Sequence, residues 1–381
     1  MKILYLSLPG FADSDLPLIR EYQRRGDDIT YVMDLIPMSK NTTIVNIENI
    51  IQENDLIKAD RYTELLLYKK YINFEKFYIL NRTSNRRYSI SALSLMLRFI
   101  RFIKKEKFDV IHTTYPFRAF DTVLYKFSKK MVMTFHDPFP HTGEINFLKE
   151  IYRKLALRKV NRFVLLNKKQ KECFLKTYNI KEDRVLVNQM GLFDFLNIFK
   201  NEKNKPSLKV LFFGRISPYK GLEYLCEAMI NVRKKIPHAE LIIVGSGKIY
   251  FDYTPYKDKE FIHLYNKYID TPTLAKYLSD CIFTICPYVD ATQSGVILTS
   301  FALNKPVVAT DVGGLSEMVK NDKTGLLIEP RNVQALSDAI ISLFENPDKL
   351  KSFEENIKTE YETGDKSWKA IADKYIKFYK Q

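Results

Sequence analysis

Short apolar runs alternate with amphipathic stretches along almost the whole chain, and the alternation starts twice. KILYLSL (2–8) stops at Pro9-Gly10, and a helix is expected from about Ser14-Asp15 to Gly26. DITYVMDLI (28–36) is the next strand. ISALSLMLRFIRFIKKEKF (90–108) carries apolar residues at helical spacing, with Lys and Arg gathered at its end where a helix dipole favours them. DVIHTT (109–114), KMVMTF (130–135) and RFVLLN (162–167) read as strands, EINFLKEIYRKLALRKV (144–160) as a helix, and RVLVNQMG (184–191) closes the first half. LFDFLNIFKNEKNKPS (192–207) follows neither period and is expected to be a linker.

From 208 the pattern restarts. LKVLFFG (208–214), AELIIVGSG (239–247), FIHLYN (261–266), CIFTICP (281–287), PVVATD (306–311) and TGLLIEP (324–330) are strands, with helices expected over 221–236, 271–280, about 295–304, and 332–346. Strands alternating with helices make parallel sheets, and a restart makes two of them. The expected organisation is a domain over 1–191, a linker over 192–207, and a second domain over 208–365. Ligands in such sheets bind beyond the carboxyl ends of the strands, here in a cleft between the halves.

Composition adds little until charge is considered. The net charge is +15, and between 61 and 107 twelve Lys/Arg stand against three Glu. An anionic membrane face or a polyanionic substrate suits that stretch, as does a merely solvated face. No RNA- or DNA-reading motif accompanies it, so nucleic acid is not an expected partner. The four cysteines have no zinc-like spacing, no apolar run reaches ~18 residues, and MKILYLSLPGF lacks a signal-peptide cleavage region; cytoplasmic residence is expected.

Candidate chemistry sits at the expected strand ends. Gly214 permits a tight exit, and Arg215 and Lys220 then approach the helix that opens at Gly221, which makes an anion site. IVGSGK (243–248) fits no phosphate-loop pattern and reads as a tight turn. His136 ends a strand and His141 follows on a Pro-rich loop, without a third residue to suggest a metal. Asp13 and Asp15 in "DSD" read as first-turn helix acids, not as metal ligands.

FFGRISPYKGLEYLCEA, PYVDATQSGVILTSFALNKPVVATDVGGLSEMV and TGLLIEP, in this order, resemble the second half of the retaining glycosyltransferases of family 4. DVIHTTYP and TFHDPFPH fit its first half, and SWKAIADKYIKFYK is similar to the helix with which that family crosses back to its N-terminal domain. The resemblance implies an α/β protein of GT-B architecture, two Rossmann-like domains facing a central cleft, with a helix over 366–381 packed on the first. It implies no metal and no cofactor beyond a nucleoside-diphosphate-sugar donor, whose diphosphate Arg215 and Lys220 would bind while His136 touched the sugar. The family's usual pair of glutamates is missing. The loop instead resembles a branch with Q-S-G, in which the amides of Ser294, Gly295, Val296 and Ile297 face the phosphate. Thr299 or Ser300 would then reach the ribose, Asp290 or Gln293 the sugar, and Tyr268-Ile269 the base. Gly10 and Phe11, with His141, fall on the acceptor side, and Glu317 caps or contacts. A glycan or a polyprenyl-diphosphate-linked acceptor, with the protein peripheral on the membrane's inner face through 61–107, completes the expectation. The alternatives are a non-catalytic sugar-nucleotide-binding subunit and a GT-B sugar-nucleotide epimerase.

Overall fold

The computed structural model describes every residue except 43, 140–146, 201–206 and 292–293. Two compact units emerge, the first made of 1–191 together with Trp368–Gln381, the second of Leu192–Ser367. The sheet of the first unit contains β1 (Lys2–Ser7), β2 (Asp28–Leu35), β3 (Leu56–Lys58), β4 (Phe77–Asn81), β5 (Val110–Thr113), β6 (Met131–Phe135), β7 (Arg162–Leu165) and β8 (Val185–Val187). Their order is β3-β4-β2-β1-β5-β6-β7-β8, all parallel except β3. Both neighbours of β1 pair with it in parallel, Ile3 lying opposite Ile29 on one side and Val110 on the other. The strand order therefore reverses direction at β1, and the crevice for a ligand opens at the carboxyl ends there.

Helices α1 (Ala12–Arg24), α2 (Ile90–Glu106), α3 (Phe147–Lys159) and α4 (Lys171–Tyr178) belong to this unit. In α2 the Ser89 hydroxyl caps Ala92 N at 3.1 Å, and Ala92, Leu95, Met96, Phe99, Ile100 and Ile103 form the buried stripe. Lys107 in the left-handed region ends it.

β9 (Lys209–Phe213), β10 (Glu240–Gly245), β11 (Ile262–Asn266), β12 (Phe283–Cys286), β13 (Val307–Thr310) and β14 (Gly325–Ile328) form the second sheet. It is parallel, in the order β11-β10-β9-β12-β13-β14, with its reversal between β9 and β12. Its helices are α5 (Leu222–Lys235), α6 (Thr271–Asp280), α7 (Gly295–Ala302), α8 (Leu315–Met318), α9 (Val333–Glu345) and α10 (Pro347–Lys358).

The last helix, α11 (Trp368–Tyr379), packs on α1 in the first unit. Asn188 Nδ2 donates to the Ile371 carbonyl at 3.2 Å, and Arg162 Nη1 donates to the carbonyls of Phe378 and Tyr379 at 2.8 and 3.0 Å. His112, at the centre of β5, binds the Tyr379 hydroxyl through Nδ1 and the Thr134 hydroxyl through Nε2 at 2.7 Å. Its burial, with His136 nearby, lowers its pKa to about 3, so it is a neutral core residue.

Two sequence expectations change. Residues 192–199 are no linker: Phe193, Phe195 and Leu196 are buried in the second unit, and a 3₁₀ turn over Asp194–Phe199 packs against α6 and α7. Its apolar residues repeat every third position (192, 195, 198 and 193, 196, 199), a 3₁₀ period that tests for 2.0 and 3.6 both miss. Half of the twelve basic residues of 61–107 are also paired with carboxylates. Arg61, Lys69, Lys76 and Arg98 pair with Glu53, Asp60, Asp28 and Asp55, all outside that window. Buried Arg82 and half-buried Arg87 pair with Asp34 and Asp121, with Arg82 Nε 2.6 Å from Asp34 and Nη2 3.0 Å from Asp121. Burial works against ionisation of Asp34, but the two guanidiniums outweigh it and hold the carboxyl at about 2. Among the described residues no helix is long and apolar enough to cross a membrane.

Candidate active site

In the second unit, the loops leaving β9 and β12 meet at the sheet's reversal point. Gly214 (φ +119°) turns the chain, leaving Arg215 exposed, and Ile216 N donates to Ser246 O at 3.0 Å. One 3₁₀ turn, Pro218–Lys220, leads to Gly221 at φ +63°. A Cβ at Gly221 would stand 2.1 Å from the Pro287 carbonyl oxygen, so only glycine lets the two loops close together. Val289 N then donates to Tyr219 O at 2.9 Å.

This closure buries Lys220, which is 8% exposed. Its ammonium lies 3.6 Å from the ring centre of Tyr288 and 4.9 Å from that of Tyr219. Among the described residues neither Lys220 nor Arg215 has a recorded carboxylate partner. Burial lowers the Lys220 pKa to about 8, Cys286 pulling the other way and Arg215 adding to the fall. Two cations, close enough to repel and without a counter-ion, make a site for an anion.

The helix that completes it is α7, not α5. The first amide of α5 is occupied, Leu222 N donating at 2.8 Å to the Tyr250 hydroxyl, which donates to Glu223 at 2.5 Å. In contrast, α7 has no side-chain cap at Ser294, and Gly214 faces Val296, whose Cγ2 is 3.6 Å from where a Cβ would be. Of the four amides expected to face a phosphate, Ile297 N donates to Ser294 O at 3.2 Å and Ser294 N to the Met318 sulfur at 3.4 Å. Those of Gly295 and Val296 have no acceptor among the described residues, which is the ordinary state of an open helix N-terminus.

The hydroxyls of Thr299 and Ser300 are engaged within their own helix. The Thr299 hydroxyl donates to Gly295 O and that of Ser300 to Val296 O, both at 2.8 Å. Ser300 also accepts from Thr284 at 2.8 Å and is fully buried. Their reach is directed into their own helix, as short hydroxyl side chains inside helices tend to be. Asp290 and Gly295 are exposed beside the loop, Tyr268 is exposed and Ile269 half-buried after β11. Glu317 lies in the short helix α8. Gln293 and His141 lie outside the described residues.

In the first unit, the reversal point holds Phe11 and His136. Their rings stack at 3.9 Å with 9° between planes, next to exposed Gly10. Burial lowers His136 to about 4, so its imidazole is neutral at pH 7 and can orient a hydroxyl without carrying charge. Asp13 and Asp15 sit in the first turn of α1. Asp15 accepts from the hydroxyls of Tyr5 and Tyr31 at 3.0 and 3.3 Å, and burial raises it to about 8. A protonated, enclosed carboxyl is a packing group. Among the described residues no three His, Cys, Asp or Glu gather where they could hold a metal ion.

Sequence reasoning missed Tyr288 and Tyr219. The available signal was an aromatic residue directly after a strand, in CPYVD, opposite a loop carrying a lysine.

A pair of doubly wound sheets, each with its charged or aromatic groups at the reversal point, defines the GT-B class of fold. The chain has the GT-B fold, and each of its halves matches a glycosyltransferase family model. Residues 18–191 match the family model described as Glycosyltransferase Family 4, and 207–346 the one described as Glycosyl transferases group 1. An uncharacterized glycosyltransferase of Methanocaldococcus jannaschii is 27% identical over 234 residues, 57% of this chain and 59% of that protein, so the match spans less than two thirds of the relative. Among solved structures, TarM of S. aureus, bound to UDP, superposes with a TM-score of 0.69 at 14% identity, covering all of both chains. Anabaena HepE in complex with UDP gives 0.60 at 18%, covering 100% and 98%. A UDP-N-acetylglucosamine 2-epimerase gives 0.63 at 14%, covering 100% and 96%. At these identities the likeness is one of fold.

Proposed function

We propose that the chain is a retaining, metal-independent glycosyltransferase that moves a sugar from a nucleoside-diphosphate-sugar to a glycan or lipid-linked acceptor. The observation that carries this reading is Lys220, a buried ammonium with no carboxylate partner among the described residues, beside Arg215 and the open N-terminus of α7. Sugar transfer puts positive charge on the anomeric carbon and negative charge on the departing diphosphate. Fixed positive groups around that diphosphate stabilise the transition state more than the ground state. Arg215 offers a bidentate fork, Lys220 a point charge, and the amides of Gly295 and Val296 two directed donors. Such a site favours a mechanism in which the leaving phosphate itself accepts the acceptor's proton, with neutral His136 orienting the sugar. An epimerase would need acid and base groups around the sugar, and the anion site described supplies neither.

A thermal-shift screen of UDP-, GDP- and ADP-sugars tests the proposal. At least one raises the melting temperature, and Arg215→Ala removes most of that shift. UDP-sugars are the first choice because HepE and TarM were solved with UDP. No shift with any of the three refutes the assignment; binding without transfer or donor hydrolysis would leave a sugar-nucleotide-binding subunit.

Lys220 also sets a pH limit. Its free pKa is about 8 and a bound diphosphate raises it, so affinity is level below pH 8 and falls as pH rises above it. Calorimetric titration of UDP between pH 6.5 and 9.5 should show up to a tenfold loss per unit above pH 8. An affinity flat to pH 9.5 would remove Lys220 from the anion site.

The carboxyl-end rim of the first unit, which takes Arg86, Tyr88 and Ile90 from 61–107, is the surface that best supports a lipid-linked acceptor. Tyr88 and Ile90 are 70% and 88% exposed, Phe147 and Leu148 78% and 62%, and the Tyr88 hydroxyl meets that of Tyr152 one turn after Leu148. Exposed Arg86, Arg118, Lys149 and Lys154 surround them. Lysines are depleted from protein interfaces, whereas apolar residues ringed by lysine suit an anionic bilayer. Phosphatidylglycerol vesicles should sediment the protein, and Phe147→Ser with Leu148→Ser should reduce this about tenfold. Equal sedimentation of wild type and variant excludes this rim.

A further inference from the structure

We infer that Tyr288 is a positioning residue of the anion site, its ring face holding the Lys220 ammonium and its hydroxyl meeting Ser294 at the start of α7. The inference rests on the donor-site reading above.

A buried lysine is ordinarily held by a carboxylate, which fixes its position and cancels its charge. A lysine so paired attracts a diphosphate weakly. An aromatic face attracts the ammonium through its quadrupole while leaving the full unit charge for a ligand. Lys220 is 3.6 Å from the Tyr288 ring centre, and the ring has little freedom. Tyr288 is completely buried, its carbonyl accepts from the Thr310 hydroxyl at 2.5 Å, and its neighbour Val289 is tied to Tyr219 O. Tyr219 meets Tyr288 edge to face, 6.3 Å between centres, so the ammonium has rings on two sides.

The second link lies at the other end of the same side chain. The Tyr288 hydroxyl is 3.3 Å from Ser294 Oγ, and Ser294 is the residue before the first turn of α7. One side chain thereby joins the charge on the β9 loop to the amides on α7. Among the described residues, the groups that face Lys220 are Arg215, Cys286, Tyr219 and Tyr288, and of these only Arg215 is charged at pH 7, because Cys286 is raised to about 11 and burial holds Tyr288 far above its ordinary value. Among the described residues no carboxylate neutralises the ammonium.

Ring face, hydroxyl and general packing are separable. UDP and inorganic pyrophosphate are titrated calorimetrically into the full chain carrying Tyr288→Phe, Tyr288→Leu, Lys220→Met, or Lys220→Met with Tyr288→Leu. Phe keeps the face and should bind UDP within about threefold of wild type, with the same alkaline decline. Leu removes the face and should weaken both ligands about tenfold and move the decline to lower pH. In the Lys220→Met background the Leu change should cost less than twofold, since Tyr288 acts through Lys220. Equal losses for Phe and Leu overturn the inference, as does a Leu effect that persists undiminished without Lys220, which would mark Tyr288 as packing alone. If wild type binds neither probe, nor GDP or ADP, the donor-site reading fails and this inference with it.

Discussion

Lys220→Met should lower turnover of the best sugar nucleotide about a hundredfold or more while making the protein more stable. Loss of one preorganised charge from a leaving-group site typically costs ~10²–10³ in rate. The stability gain follows from the same burial. At pH 7 the ammonium is charged although its surroundings pull its pKa down from 10.5 to about 8. An unbranched apolar side chain of similar length removes that penalty and should add roughly 1–2 kcal/mol, the lost contact with Tyr288 taking back part of it. Donor consumption and a urea titration measure the two effects. Reduced activity with reduced stability would make Lys220 a structural residue, and unchanged activity would place the leaving group elsewhere.

Arg82→Met should destabilise the first unit by about 3–5 kcal/mol, because Asp34 and Asp121 would remain buried with only Arg87 between them. Each kcal/mol is worth about 2–4 °C in a domain of this size, so the melting temperature should fall by roughly 6–20 °C. Arg98→Met, which opens the exposed pair with Asp55 at 3.0 Å, should cost less than about 1 kcal/mol. Similar losses for the two variants would show that the Arg82 cluster is no more than a surface pair. One Arg82 nitrogen, Nη1, has no acceptor among the described residues, so the cluster is not ideal, and replacing all four charges together could prove neutral.

The comparison between sequence and structure separates local information from long-range information. Strands β1, β9 and β12 were legible as apolar runs ended by Gly or Pro, and Arg215 and Lys220 as cations after such a run. These features need only neighbours in the chain. What was illegible depended on partners far away. Half of the basic charge of 61–107 is paired only when carboxylates such as Asp28, Asp34, Glu53 and Asp121 are brought beside it. Ser300 looked available to a ligand until Thr284 and its own helix claimed its hydroxyl. Tyr288 had no visible task until the β9 loop laid Lys220 across it.

The return of α11 bears on how the protein is made. On the ribosome, the first 191 residues emerge well before Tyr379 is available to His112, or Phe378 to Arg162. The second unit, 192–367, has all of its residues before α11 is made and can complete its fold first, while the first, whose sheet ends at Val187, still holds the surface for α11 open to chaperones or to wrong partners. Synthesis therefore inverts the order of the two units: the one translated first should be the last to become native.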